Sequence, residues 1–134
     1  MTATGVVWDP AYLEHVTDEG HPDHPRRLKP LYHRLKELAV RNQFVSIVPS
    51  EATEEEILLV HSPAYLAKVR ATAGQAASAL SADTLTCDRS WQIARLAVGG
   101  TIGAIRQVAA EIVDGEFAHC ISRKGDDPDR RKIT

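Results

Sequence analysis

The sequence predicts an α/β fold: the helix-rich N-terminal part of a domain built on a parallel sheet. Three observations carry that expectation. A short β-branched run, Thr4–Trp8 (TGVVW), opens the chain and ends at Asp9-Pro10. Four segments with helical periodicity and helix start signals follow. A second short apolar run, Phe117–Ser122 (FAHCIS), comes after the last of them. Two strands do not make a stable sheet alone. Their connection is long enough for a parallel crossover, so the pattern reads as the beginning of an α/β domain.

The elements follow in order. Asp9–Arg27 holds three prolines, one glycine and three histidines, and reads as a long shaped loop. Pro25 and Pro30 fall near the start of a helix, where a missing N–H costs little. Leu28, Leu31, Leu35, Leu38 and Ala39 then recur at helical spacing, to an end near Asn42. Phe44–Val48 is extended and stops at Pro49. Thr53 to Glu56 is a capping box ahead of a short helix with Ile57, Leu58 and Val60. Ser62-Pro63 is a hydroxyl cap followed by proline, and starts a helix whose apolar face is Tyr65, Leu66, Val69 and Ala73. Gly74 closes it. Gln75–Asp88 is small and polar and reads as a loop. Ser90 is expected to cap a long helix, Trp91–Val113, with Ala94, Val98, Thr101, Ile105, Val108 and Ile112 on its packing face. Gly99, Gly100 and Gly103 lie inside it, each costing ~1 kcal/mol relative to alanine. Close backbone approach to a neighbour is the expected compensation. The division is 1–122 for the domain part and 123–134 for a disordered tail with a single aliphatic residue.

Composition excludes several classes. Apolar residues make up 43% and charged residues 25%, as in soluble globular proteins. Net charge is −2, which argues against a nucleic-acid binder working through a basic surface. No apolar run is long enough to span a membrane, and the N-terminus lacks the pattern of a secretory signal. The expected location is the cytoplasm. Cys87 and Cys120 make neither a disulfide framework nor a four-ligand zinc site, and read as reduced structural thiols.

Four segments carry a family resemblance. They are the opening Thr4–Asp9; His21-Pro22-Asp23-His24-Pro25-Arg26-Arg27-Leu28; Ala52–Leu66 (ATEEEILLVHSPAYL); and Asp83-Thr84 followed by Ala94–Gly100 (ARLAVGG). In this order the chain resembles the N-terminal third of the zinc-dependent histone deacetylases, a family that also includes acetoin-utilisation proteins and acetylpolyamine amidohydrolases. The resemblance covers about Thr4 to Phe117. It implies an arginase/deacetylase-like parallel sheet between helices, with the active site on loops at the carboxyl ends of the strands. It further implies hydrolysis of N-acetyl amides on lysine or polyamines, by zinc held by Asp, His and Asp, a histidine pair and a tyrosine.

Beyond Phe117 the pattern departs. The family continues with R-P-P-G-H-H-A, whereas this chain reads Ser122-Arg123-Lys124-Gly125-Asp126-Asp127-Pro128. No metal ligand or catalytic residue of the family can be placed, and the expectation is a truncated or frameshifted relative that holds no zinc and is inert by itself.

The resemblance assigns substrate-binding roles to three residues. His21 and Arg27 match the loop bordering the family's channel; alternatively His21 stiffens the loop and Arg27 makes a structural ion pair. Asp83 matches a rim aspartate that accepts hydrogen bonds from substrate; alternatively it is an exposed loop carboxylate. His15, His21 and His24 are read as polar loop residues, since no helix presents them together to a metal. His61 reads as a packing or capping residue, and Tyr12, Tyr32 and Tyr65 as core or rim. Two other functions compete with an inert deacetylase part: a non-enzymatic interaction module and one half of a split deacetylase. With much of the domain lacking, apolar surface is expected to lie open, to a homo-oligomer or a complementing fragment, and the three helix glycines are expected to lose their cover.

Overall fold

The computed structural model describes residues 3–110 and 115–118. Strand β1 (Thr4–Val7) pairs in parallel with β2 (Val45–Ile47) on one side and with β5 (Gly115–Ala118) on the other. Gly5 lies opposite Val45, and Val7 opposite Ile47 and Ala118. The chain is therefore α/β, with the parallel sheet that the opening run implied. Val45–Ile47 supplies a third strand that a count of two left out. The second run forms its strand over Gly115–Ala118, earlier than Phe117–Ser122; residues 119–122, including Cys120, lie outside the described ones, as do 111–114 and the tail 123–134.

Val6 and Val7 are both buried because the central strand is covered on both faces. Successive side chains point to opposite sides. Val6 joins Tyr12, Leu28, Tyr32, Leu35, Ile93 and Ala97, while Val7 joins Ile47 and Ala104. Helix α1 (Leu28–Val40) puts Leu28, Tyr32 and Leu35 into the first cluster and ends just before Asn42, whose positive φ of 53° suits asparagine. Helix α2 (Glu54–Leu58) carries the predicted capping box, with Thr53 Oγ1 accepting from Glu56 N–H and Glu56 Oε2 accepting from Thr53 N–H. Helix α3 (Pro63–Arg70) starts at the Ser62 cap and is shorter than expected, so Ala73 is exposed and Thr72 is buried instead. Gly74, at φ 76°, ends the turn.

Two expectations are corrected and one is refined. Gln75–Asp88 is not a plain loop: β3 (Ser78–Ser81) and β4 (Thr84–Thr86) pair antiparallel within it. The segment is rich in small residues, only Thr84 and Thr86 favour strand, and pairing is helped by cross-strand contacts such as Thr86 Oγ1 donating to Ser78 O at 3.3 Å. Asp9–Arg27 contains two 3₁₀ turns, Pro10–Glu14 and Pro25–Arg27, each started by a side-chain acceptor followed by proline. The long helix α4 (Ser90–Ala109) packs on a different face from the one predicted. Its buried stripe is Ile93, Ala97, Gly100 and Ala104, whereas Val98 and Ile105 are 37% and 53% exposed. Apolar residues run nearly around this helix, so periodicity alone could select either stripe. Small residues decide, because they let α4 approach the sheet closely.

The glycines show how closely. A Cβ at Gly99 would collide with the carbonyl oxygen of Ser50 and lie 2.7 Å from Ala52 N. At Gly100 it would lie 2.7 Å from Val7 Cγ1. Both are thus covered by this chain's own residues, contrary to the expectation of lost cover. Among the described residues nothing lies within 4 Å of a Cβ at Gly103, so close approach to them does not account for it. The same seam is pinned by polar contacts: Ala52 N–H donates to Arg95 O at 2.9 Å, Arg95 Nε donates to Ala52 O at 3.0 Å, and Arg95 pairs with Glu51 at 3.0 Å.

Candidate functional site

In open α/β sheets, ligands bind beyond the carboxyl ends of the strands. Here the segment leaving that end of β1 is the proline- and histidine-rich one. Asp9 accepts from Ala11 N–H at 2.8 Å and starts the first 3₁₀ turn. Tyr12 in that turn is fully buried, and its hydroxyl donates to Leu96 O on α4 at 3.2 Å. Tyr32 O–H donates to Asp9 O at 2.8 Å, and burial pushes the pKa of this phenol up to about 12. These tyrosines are core residues that sew the loop to both helices.

The loop is then clamped at a buried base. Ser90 Oγ accepts from Cys87 N–H at 2.8 Å and lies 2.8 Å from His15 Nδ1. Cys87 Sγ accepts from Val16 N–H at 3.4 Å and donates to Glu14 O at 3.3 Å, holding the backbone on both sides of His15. Outside it, Arg89 Nε donates to Glu14 Oε2 at 2.7 Å. Ser90 is therefore not the expected N-cap. The helix begins at Ser90 after Arg89, which makes no side-chain cap bond, and the hydroxyl faces inward. Burial lowers the His15 pKa; Asp23 opposes this, and His21 and Arg27 reinforce it. Sequence reasoning missed this clamp because its members are 72 and 75 residues from His15. Its one local signal is the Cys87–Ser90 spacing at a helix start.

Farther along, the loop meets the β3–β4 hairpin. Asp23 N–H donates to His21 Nδ1 at 3.1 Å, which leaves the ring proton on Nε2. Nε2–H then donates to the backbone carbonyl of Asp83 at 3.0 Å. Two of the three predicted site residues, 62 positions apart, are thus in direct contact. Asp83 is exposed at the hairpin turn, with its Oδ1 accepting from Ser81 Oγ at 2.9 Å. Arg27 pairs with Asp23 at 3.9 Å, with its side chain 33% exposed. His24 Nδ1 accepts from Arg26 N–H at 3.1 Å. The three loop histidines therefore turn in three directions. Among the described residues, no group of three His, Cys, Asp or Glu side chains could hold a metal ion. No described helix is long and apolar enough to cross a membrane.

The arrangement defines an α/β protein whose strand-end loop and hairpin turn meet through His21 and Asp83. Comparison with known proteins then gives the family. The histone deacetylase domain profile matches residues 21–125. Histone deacetylase HDA1 of Candida albicans is 33% identical over 86% of this chain and 17% of its own length. The human polyamine deacetylase HDAC10 is 36% identical over 54% of this chain and 10% of its own. The crystal structure of the HDA15 HD domain superposes with a TM-score of 0.80 at 26% identity, covering 92% of this chain and 36% of that one. The chain belongs to the histone deacetylase family. It spans about a third or less of the length of these relatives.

Proposed function

We propose that this chain forms one border of the substrate channel of a zinc-dependent deacetylase domain that acts on N-acetyl groups of lysine or polyamines. The observation that carries the reading is the 3.0 Å bond from His21 to the Asp83 carbonyl, which joins the family's proline-rich loop to the turn bearing the rim carboxylate. An exposed carboxylate at that turn can accept N–H groups from a peptide or an acetylated amine, and so orient it. Arg27 steadies the loop through Asp23. The described residues do not fit a zinc ion, so no metal step runs through them; their chemistry is orientation. The chain alone is expected to neither retain stoichiometric zinc nor turn over acetyl-lysine or acetylpolyamine. The test is a titration of an acetyl-lysine peptide into the chain and its Asp83→Asn variant, with turnover and metal content measured alongside. Weaker binding by the variant supports the border role, and equal binding rejects it. Turnover, or a tightly held zinc, would reject inertness.

A second reading, an interaction module or half of a split enzyme, is favoured by a different observation. Val98 and Ile105 leave a second apolar stripe of α4 partly open, at 37% and 53% exposure. Light scattering on the purified chain tests it: a stable monomer argues against a homo-oligomer through this face.

A further inference from the structure

We infer that His21 is a positioning residue: it holds the Asp83 turn in place through the backbone and does not itself meet substrate. This rests on Asp83 being the border carboxylate. Both ring nitrogens of His21 are engaged by the protein, Nδ1 by Asp23 N–H at 3.1 Å and Nε2 by Asp83 O at 3.0 Å. The two bonds demand one tautomer, so the imidazole works as a directional bridge from loop to hairpin. The hairpin needs such a bridge. A two-stranded ribbon is marginal alone, and the register of this one breaks between Ala79 and Ser81, next to the turn. Two further contacts act on the same stretch. Ser81 Oγ lies 2.9 Å from both Asp83 Oδ1 and Thr84 Oγ1. Its single proton goes to the carboxylate, and the Thr84 hydroxyl can donate to it in turn. Lys68 Nζ donates to Leu80 O at 3.1 Å. The Ser81 contacts lie within the hairpin and the Lys68 contact comes from α3, whereas His21 ties the turn to the loop leaving β1. The Asp83 carboxylate is thereby placed relative to the carboxyl end of the sheet.

The experiment uses the full chain, labelled with ¹⁵N. Long-range proton–nitrogen correlation of the imidazoles should show His21 as the Nε2–H tautomer. His21→Gln keeps a donor near Nε2, and His21→Asn keeps an acceptor near Nδ1. Hydrogen exchange across Ser81–Thr86 should quicken about fivefold in His21→Asn and His21→Ala, as for one lost hydrogen bond, and stay near wild type in His21→Gln. The Asp23 amide should show the reverse, protected in His21→Asn and faster in His21→Gln. An Nδ1–H tautomer, or hairpin exchange equal in all three variants, would overturn the inference. Asp83→Asn leaves the carbonyl that His21 holds untouched. Its effect on peptide binding therefore tests the border role separately from the bridge.

Discussion

The seam between α4 and the segment Ser50–Ala52 leaves no room for a methyl group, whereas the border between loop and hairpin rests on single hydrogen bonds partly open to water. Both join distant parts of the chain. The first is a backbone-to-backbone contact that admits one geometry, since packed interiors do not deform continuously. The second can be altered one bond at a time.

Breaking the seam should have the largest effect. Gly99→Ala drives a Cβ into the Ser50 carbonyl and should destabilise the chain by about 3 kcal/mol or more, well beyond a helix-propensity gain of ~1 kcal/mol. Denaturant unfolding measures it, and a variant as stable as wild type would refute the close contact. At the buried base of the border, Ser90→Ala removes the acceptor of Cys87 N–H and the partner of His15 Nδ1. The expected loss is about 1–3 kcal/mol, the cost of leaving buried groups unpaired. The midpoint of urea unfolding should show it, accompanied by faster exchange at the Cys87 amide.

The next comparison is between pH values. Burial holds His15 below its ordinary value of 6.5. Between 6.5 and its lower folded value, the unfolded chain binds a proton that the folded chain refuses. Stability should therefore fall as pH is lowered through that window, with no contribution from this group above it. His15→Asn keeps a polar group near Nδ1 and should flatten that part of the profile; an unchanged slope would remove His15 as its cause. The smallest effect has the opposite sign. Gly103 sits on the same helix with no described residue within 4 Å of its Cβ position, so Gly103→Ala should stabilise by about 0.5–1 kcal/mol. A thermal melt compares it directly with Gly99→Ala. Two glycines four residues apart would then differ in sign because only one faces backbone.

How much was legible follows the range of the interactions. The capping box at Thr53–Glu56, the Ser62-Pro63 start, the left-handed ends at Asn42 and Gly74 and the buried β-branched strand were readable from residues near one another in the chain. Their physics is local: a hydroxyl reaches an amide three residues on, and asparagine or glycine tolerates positive φ. The family was legible too, because its loop and helix segments keep their order. What remained closed to sequence involved pairs separated by dozens of residues. The choice between the two apolar stripes of α4 depended on where Ser50, Ala52 and Val7 came to lie against Gly99 and Gly100. The β3–β4 hairpin lay in a segment of small residues with only a short strand signal, and its form depended on pairing and on contacts with Lys68 and His21. Ser90 looked like a cap from its neighbours, yet the distant His15 and the nearby Cys87 amide turned its hydroxyl inward. Sequence alone thus determined the starts of α2 and α3, the end of α1, the buried strand and the family. Tertiary structure decided which helix face is buried and that His21 meets Asp83, because both depend on the packing of segments whose approach no local signal encodes.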